Sequence, residues 1–136
     1  MYYLVEVTVP SQTPASDPQV TRIEVYPGMV TQEWFGFPPG CYGLAHIQVW
    51  HHGIQLWPFS PHESFHWDGY VYELTDRYPI DSEPYELVVK TWNEDDTYDH
   101  ALTFAVEIEP APLVAGTEGL AEVLRDLGIL REAEEE

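Results

Sequence analysis

Apolar residues recur at every second position through most of the first 110 residues, the period of a pleated strand with one buried face. From Met1 to Val9, Tyr3, Val5, Val7 and Val9 fall on one side, with Glu6 and Thr8 on the other. Thr21 to Tyr26 alternates again and stops at Pro27-Gly28. An aromatic-rich strand is expected from Val30 to Phe37, ended by Pro38-Pro39-Gly40. Leu44 to Trp50 follows, and His52-Gly53 reads as a tight turn into Ile54-Gln55-Leu56-Trp57, because glycine readily takes the positive φ of a hairpin. A further strand centres on Tyr70 to Leu74, and Thr75 to Pro84 reads as irregular. The clearest stripes are Tyr85, Leu87, Val89, Thr91 and Leu102, Phe104, Val106, Ile108, which flank the acidic connection Asn93 to Asp99.

Seven or eight short strands separated by proline and glycine turns, with no helix between them, predict an all-β fold. The expected architecture is an antiparallel β-sandwich, jelly-roll or immunoglobulin-like, over residues 1–110. The pattern changes beyond it. Residues 111–117 read as a linker, and from Glu118 the apolar residues Leu120, Val123, Leu124, Leu127 and Leu130 fall at helical spacing. Residues 118–136 are thus expected to form a short C-terminal amphipathic helix and an acidic tail. Its apolar stripe is a candidate interface, with exchange between copies of the chain favoured.

Charge narrows the partners. The 136 residues carry 24 acidic and five basic side chains, a net charge of −19, yet 44% are apolar, too many for a disordered chain. Nucleic acid and anionic lipid require clustered cations, and Arg22, Arg77, Lys90, Arg125 and Arg131 are scattered. The lone Cys41 allows no intrachain disulfide. No run approaches the ~18 apolar residues of a membrane span, and Met1 to Glu6 lacks the basic start of a signal peptide.

Several constellations invite chemistry. His62-Glu63-Ser64-Phe65-His66 fits the H-E-x-x-H zinc-protease pattern, in which two histidines one helical turn apart bind the metal and the glutamate is the base. No third ligand stands at the expected spacing, and Gly69 closes any helix there early. His46, His51 and His52 lie nearby without spacing that fixes a metal site. Glu94, Asp95, Asp96 and Asp99 crowd one loop and offer oxygens of the kind calcium takes. No catalytic set emerges, and no cofactor is expected. Trp50, Trp57 and Trp92 fall on the more polar side of their strands, where exposed indoles serve as sugar platforms or protein interfaces.

Pro38-Pro39-Gly40-Cys41-Tyr42-Gly43-Leu44, Gln55-Leu56-Trp57-Pro58 and Trp92-Asn93-Glu94-Asp95-Asp96-Thr97-Tyr98 resemble small proteins from the structural gene clusters of tailed bacteriophages and prophages. The resemblance implies a β-sandwich accessory of the virion, such as a capsid decoration protein. It would self-associate, dock on the major capsid or another virion protein, and perform no catalysis. The alternative is a carbohydrate-binding module with a tryptophan platform and calcium in the acidic loop. A zinc hydrolase stands third.

Overall fold

The computed structural model describes residues 1–110. The expected linker and the stripe Leu120, Val123, Leu124, Leu127 and Leu130 lie outside the described residues. Eight strands form: β1 (Tyr2–Val9), β2 (Gln19–Glu24), β3 (Gly28–Phe37), β4 (Ala45–His51), β5 (Ile54–Trp57), β6 (Tyr70–Ile80), β7 (Glu86–Asn93) and β8 (His100–Pro110). Two four-stranded antiparallel sheets result, ordered β1-β8-β3-β6 and β2-β7-β4-β5. The expected β-sandwich is therefore present.

Pairing is nested. β4 pairs with β5, β3 with β6, β2 with β7 and β1 with β8, like one long hairpin folded over on itself. Its tip is the predicted His52-Gly53 turn, where both residues take positive φ (53° and 75°), the geometry that matches strand twist in a two-residue hairpin.

The alternating residues supply the core. Phe35, Phe104, Ile47, Leu87, Val89, Leu102 and Ile108 are all buried between the sheets. Phe35 packs on Phe104 with ring centroids 5.2 Å apart, and on Phe65 at 4.4 Å. Each such side chain contributes roughly 1.5–3 kcal/mol by leaving water.

One stretch departs from its expectation. Thr75 to Ile80 is not irregular but continues β6, pairing through Pro79 opposite Met29. Proline argues against a central strand because it lacks an N–H. β6, however, is the outer strand of its sheet, so Pro79 needs no donor on its solvent side. The preceding alternation Tyr72, Leu74, Asp76, Tyr78 keeps the inward positions half-buried.

Candidate functional site

The outer face of the β2-β7-β4-β5 sheet carries the polar parity of its two central strands. His46 lies opposite Trp92, Gln48 opposite Lys90, and Trp50 opposite Val88. A groove of about 970 Å³ runs over this face, walled by the segments around Ser16 and Pro61. Exposed Ile54 and Phe59 form its lip.

Its polar side chains are already engaged. The Trp50 indole N–H donates to Gln48 Oε1 (3.0 Å), while Gln48 Nε2 donates to the Glu63 carbonyl (2.7 Å). Gln55 Nε2 donates to the carbonyls of Pro58, Ser60 and Glu63, and its Oε1 accepts from the His62 amide. The two glutamines thus fasten the 58–63 loop to the sheet.

The indole faces are occupied too. Lys90 Nζ sits 3.9 Å from the centre of the Trp50 ring, a cation–π contact. His46 stacks on Trp92 (5.1 Å, 7° between planes), with His66 against His46 at 4.7 Å. Burial holds the His46 imidazole below the usual histidine range, against the pull of Glu94 3.4 Å away.

Of the three tryptophans singled out by parity, the structure brings Trp50 and Trp92 to this groove and not Trp57. Trp57 is 6% exposed and packs in the core near Phe104. A bulge explains the reversal. Trp50 pairs with Gln55 but Val49 pairs with Trp57, so Leu56 is an extra residue and the parity of β5 flips. Trp92 is itself 8% exposed.

The zinc-protease spacing finds no helix. Residues 60–68 are irregular, and His62 takes a φ of 71°. His62 lines the groove while His66 packs on His46, so they do not share a face. The acidic loop disperses likewise. Asp95 accepts from the amides of Thr97 and Tyr98 and from His100 Nε2 (2.9 Å), which keep its carboxyl below the usual range. Asp99 accepts from the Ser11 amide, and Glu94 faces His46. Among the described residues, no three His, Cys, Asp or Glu side chains converge on a point that could hold a metal ion. Cys41 is buried, and its thiol is pushed up to about 11 by that burial.

The opposite outer face was missed by tryptophan parity. On the β1-β8-β3-β6 sheet one row reads Leu4, Ala105, Trp34, Glu73, and the next Glu6, Thr103, Gly36, Val71. Leu4 is 62% exposed, and Tyr2 and Val71 are also exposed. Tyr2 meets Trp34 edge to face at 5.5 Å. Small residues along the middle (Ala105, Thr103, Gly36) leave a shallow trough of about 450 Å³ between these larger groups. The outward parity of Trp34, shared with Gln32 and Gly36, was the signal for it.

Inside the sandwich lies a polar cluster. Glu33 is fully buried, and no N–H or O–H donor reaches either carboxyl oxygen. Burial, reinforced by the Asp76 carboxylate, pushes its pKa to about 8, so at neutral pH it is an acid that donates toward Asp76. Asp76 accepts from the Trp57 indole (2.9 Å). The Tyr78 hydroxyl bonds His51 Nδ1 at 2.6 Å.

Protein-family models give no match to this chain. Curated proteins and solved structures give none either. Among the described residues, no helix is long and apolar enough to cross a membrane.

Proposed function

We propose that this protein is a non-enzymatic structural module, an accessory of a tailed-phage virion, that self-associates and docks on a larger protein surface through the outer face of its β1-β8-β3-β6 sheet. The apolar band of exposed Tyr2, Leu4 and Val71 around half-buried Trp34 carries this reading. Contiguous apolar patches of this kind mark interaction sites, and Trp and Tyr are the residues that dominate interface energetics. We read the strand orders β1-β8-β3-β6 and β2-β7-β4-β5 as a jelly roll. That architecture is used by viral capsid and lectin domains alike, and its flat outer sheet faces suit side-by-side assembly.

A carbohydrate-binding module is the weaker reading. It keeps the groove, but a sugar needs free aromatic faces and free hydrogen-bonding groups. Lys90 covers one face of Trp50, His46 covers Trp92, Trp57 is inside, and both glutamines hold the loop.

Sedimentation and particle analysis test the assembly reading. The wild type is expected to self-associate at micromolar concentration and to band with gradient-purified particles of the virus that encodes it. Leu4→Glu, at an exposed position, should abolish association while leaving the melting temperature in place. Absence from the particles, or a wild type as monomeric as the variant, would refute the proposal.

A further inference from the structure

We infer, as a step that rests on the self-association proposed above, that two copies join edge to edge: β1 pairs antiparallel with the β1 of a second copy, about a twofold axis at Leu4. The two β1-β8-β3-β6 sheets then run on as one.

A sheet edge is a row of unpaired N–H and C=O groups, which folded proteins blunt with short strands, charges, prolines or bulges. The outer strands here are β1, β6, β2 and β5. β5 has four residues and follows a register shift. β2 has six, with Arg22 ion-paired to Glu86 and Glu24 at its end. β6 carries Glu73, Asp76 and Arg77, and Pro79 has no N–H to offer. β1 has none of these devices. Its eight residues hold one charge, Glu6, and pair with β8 without a register shift.

Backbone direction fixes the register. Met1 stands opposite Ile108, one step beyond the Tyr2–Glu107 pair, and the Ile108 N–H donates to the Met1 carbonyl (2.7 Å). Bonded and non-bonded pairs alternate along an antiparallel ladder. Tyr3, Val5 and Val7 therefore spend their backbone groups on β8, whereas Tyr2, Leu4, Glu6 and Thr8 turn theirs outward. Gln19 Nε2 donates to the Thr8 carbonyl (3.2 Å). Among the described residues, no strand or loop backbone pairs with the outward groups of Tyr2, Leu4 and Glu6. The open stretch runs from Tyr2 to Glu6, and its centre is Leu4.

A twofold axis there sets Leu4 opposite the partner's Leu4 and Tyr2 opposite the partner's Glu6, and each pair exchanges two N–H···O bonds. On the core side Tyr3 meets the partner's Val5, an aromatic–β-branched pair of the kind that stabilises sheets. An axis at Val5 would need the Thr8 carbonyl that Gln19 holds. One at Glu6 would set carboxylate against carboxylate. Because the axis at Leu4 stands perpendicular to the merged sheet, both outer faces lie on one side. Exposed Tyr2 and Leu4 of the two copies then sit together, and the apolar band crosses the junction, still free to dock on the larger surface.

Hydrogen exchange and sedimentation on the full chain test the pairing. Where the wild type sediments as a dimer, the Leu4 and Glu6 amides should exchange at least about tenfold more slowly than at dilutions where it is monomeric, with Val5 and Val7, bonded to β8 in either state, as the reference. Glu6→Pro removes one outward N–H at a position where an edge strand tolerates proline, and should sediment as a monomer. Val71→Glu, exposed on the far outer strand of the same face, should still dimerise. A dimer whose Leu4 and Glu6 amides exchange as fast as the monomer's overturns edge pairing and leaves self-association standing, as does a dimer that survives Glu6→Pro or is lost in Val71→Glu. A wild type that stays monomeric refutes self-association itself, and the pairing with it.

Discussion

Replacing Glu33 by glutamine should remove a pH dependence that the wild type cannot avoid. The Glu33 pKa stands at about 8 in the folded chain against an ordinary value of 4.5. Between those values the folded state holds a proton that the unfolded state has released, so stability must fall as pH rises. Each pH unit corresponds to about 1.4 kcal/mol, which sets a ceiling of about 5 kcal/mol across the interval. Water entering around the ionised group lowers that ceiling, and about 2–3 kcal/mol is the expected loss between pH 5.5 and 8.5. Glutamine keeps the shape and a donor toward Asp76 but cannot ionise. Urea denaturation at half-unit pH steps measures both proteins. The difference in unfolding free energy between variant and wild type should grow with pH through this window, while the contributions of other titrating groups cancel in the difference. A difference that stays flat from pH 5.5 to 8.5 would refute the reasoning.

Two further predictions follow from the same core. His51 is held below the usual 6.5 chiefly by burial; because the unfolded state then binds the proton more readily, stability should also drop as pH falls through 6.5, and His51→Asn should flatten that acid limb in the same titration. Gly28→Ala should cost at least about 2 kcal/mol in thermal denaturation, since an added Cβ would press on the Glu109 carbonyl and lie 2.9 Å from Pro110 Cα, both backbone atoms that cannot step aside. A Tm for this variant within a degree of the wild type would show that β3 and β8 separate easily.

The β-sandwich was legible because the core positions of the long strands follow the period of two, as Leu87-Val89-Thr91 and Leu102-Phe104-Val106-Ile108 show. What escaped was non-local. Pro79 looked like a terminator because nothing in the sequence says that β6 is an outer strand. Trp57 changed sides through one extra residue whose partner strand lies across a turn. Glu33 read as one more surface acid, though it shares its parity with Phe35 and Phe37 and is fully buried. The apolar band on the β1-β8-β3-β6 sheet depends on pairing Leu4 and Trp34 with the same Ala105, contacts joining residues far apart in the sequence.

The nested pairing has a consequence for how the chain comes to be folded at all. β4 and β5 meet across a two-residue turn, but Tyr2 waits for Glu107. Contacts of such separation are entropically late and slow. Pairing should start at the His52-Gly53 tip and zip outward through β3 with β6 and β2 with β7. Strand β1, synthesised before the other seven described strands, is then last into its sheet. Until β8 has been synthesised, β1 has no partner, and the apolar residues Tyr3, Val5 and Val7 stay open to chaperones and to neighbouring nascent chains.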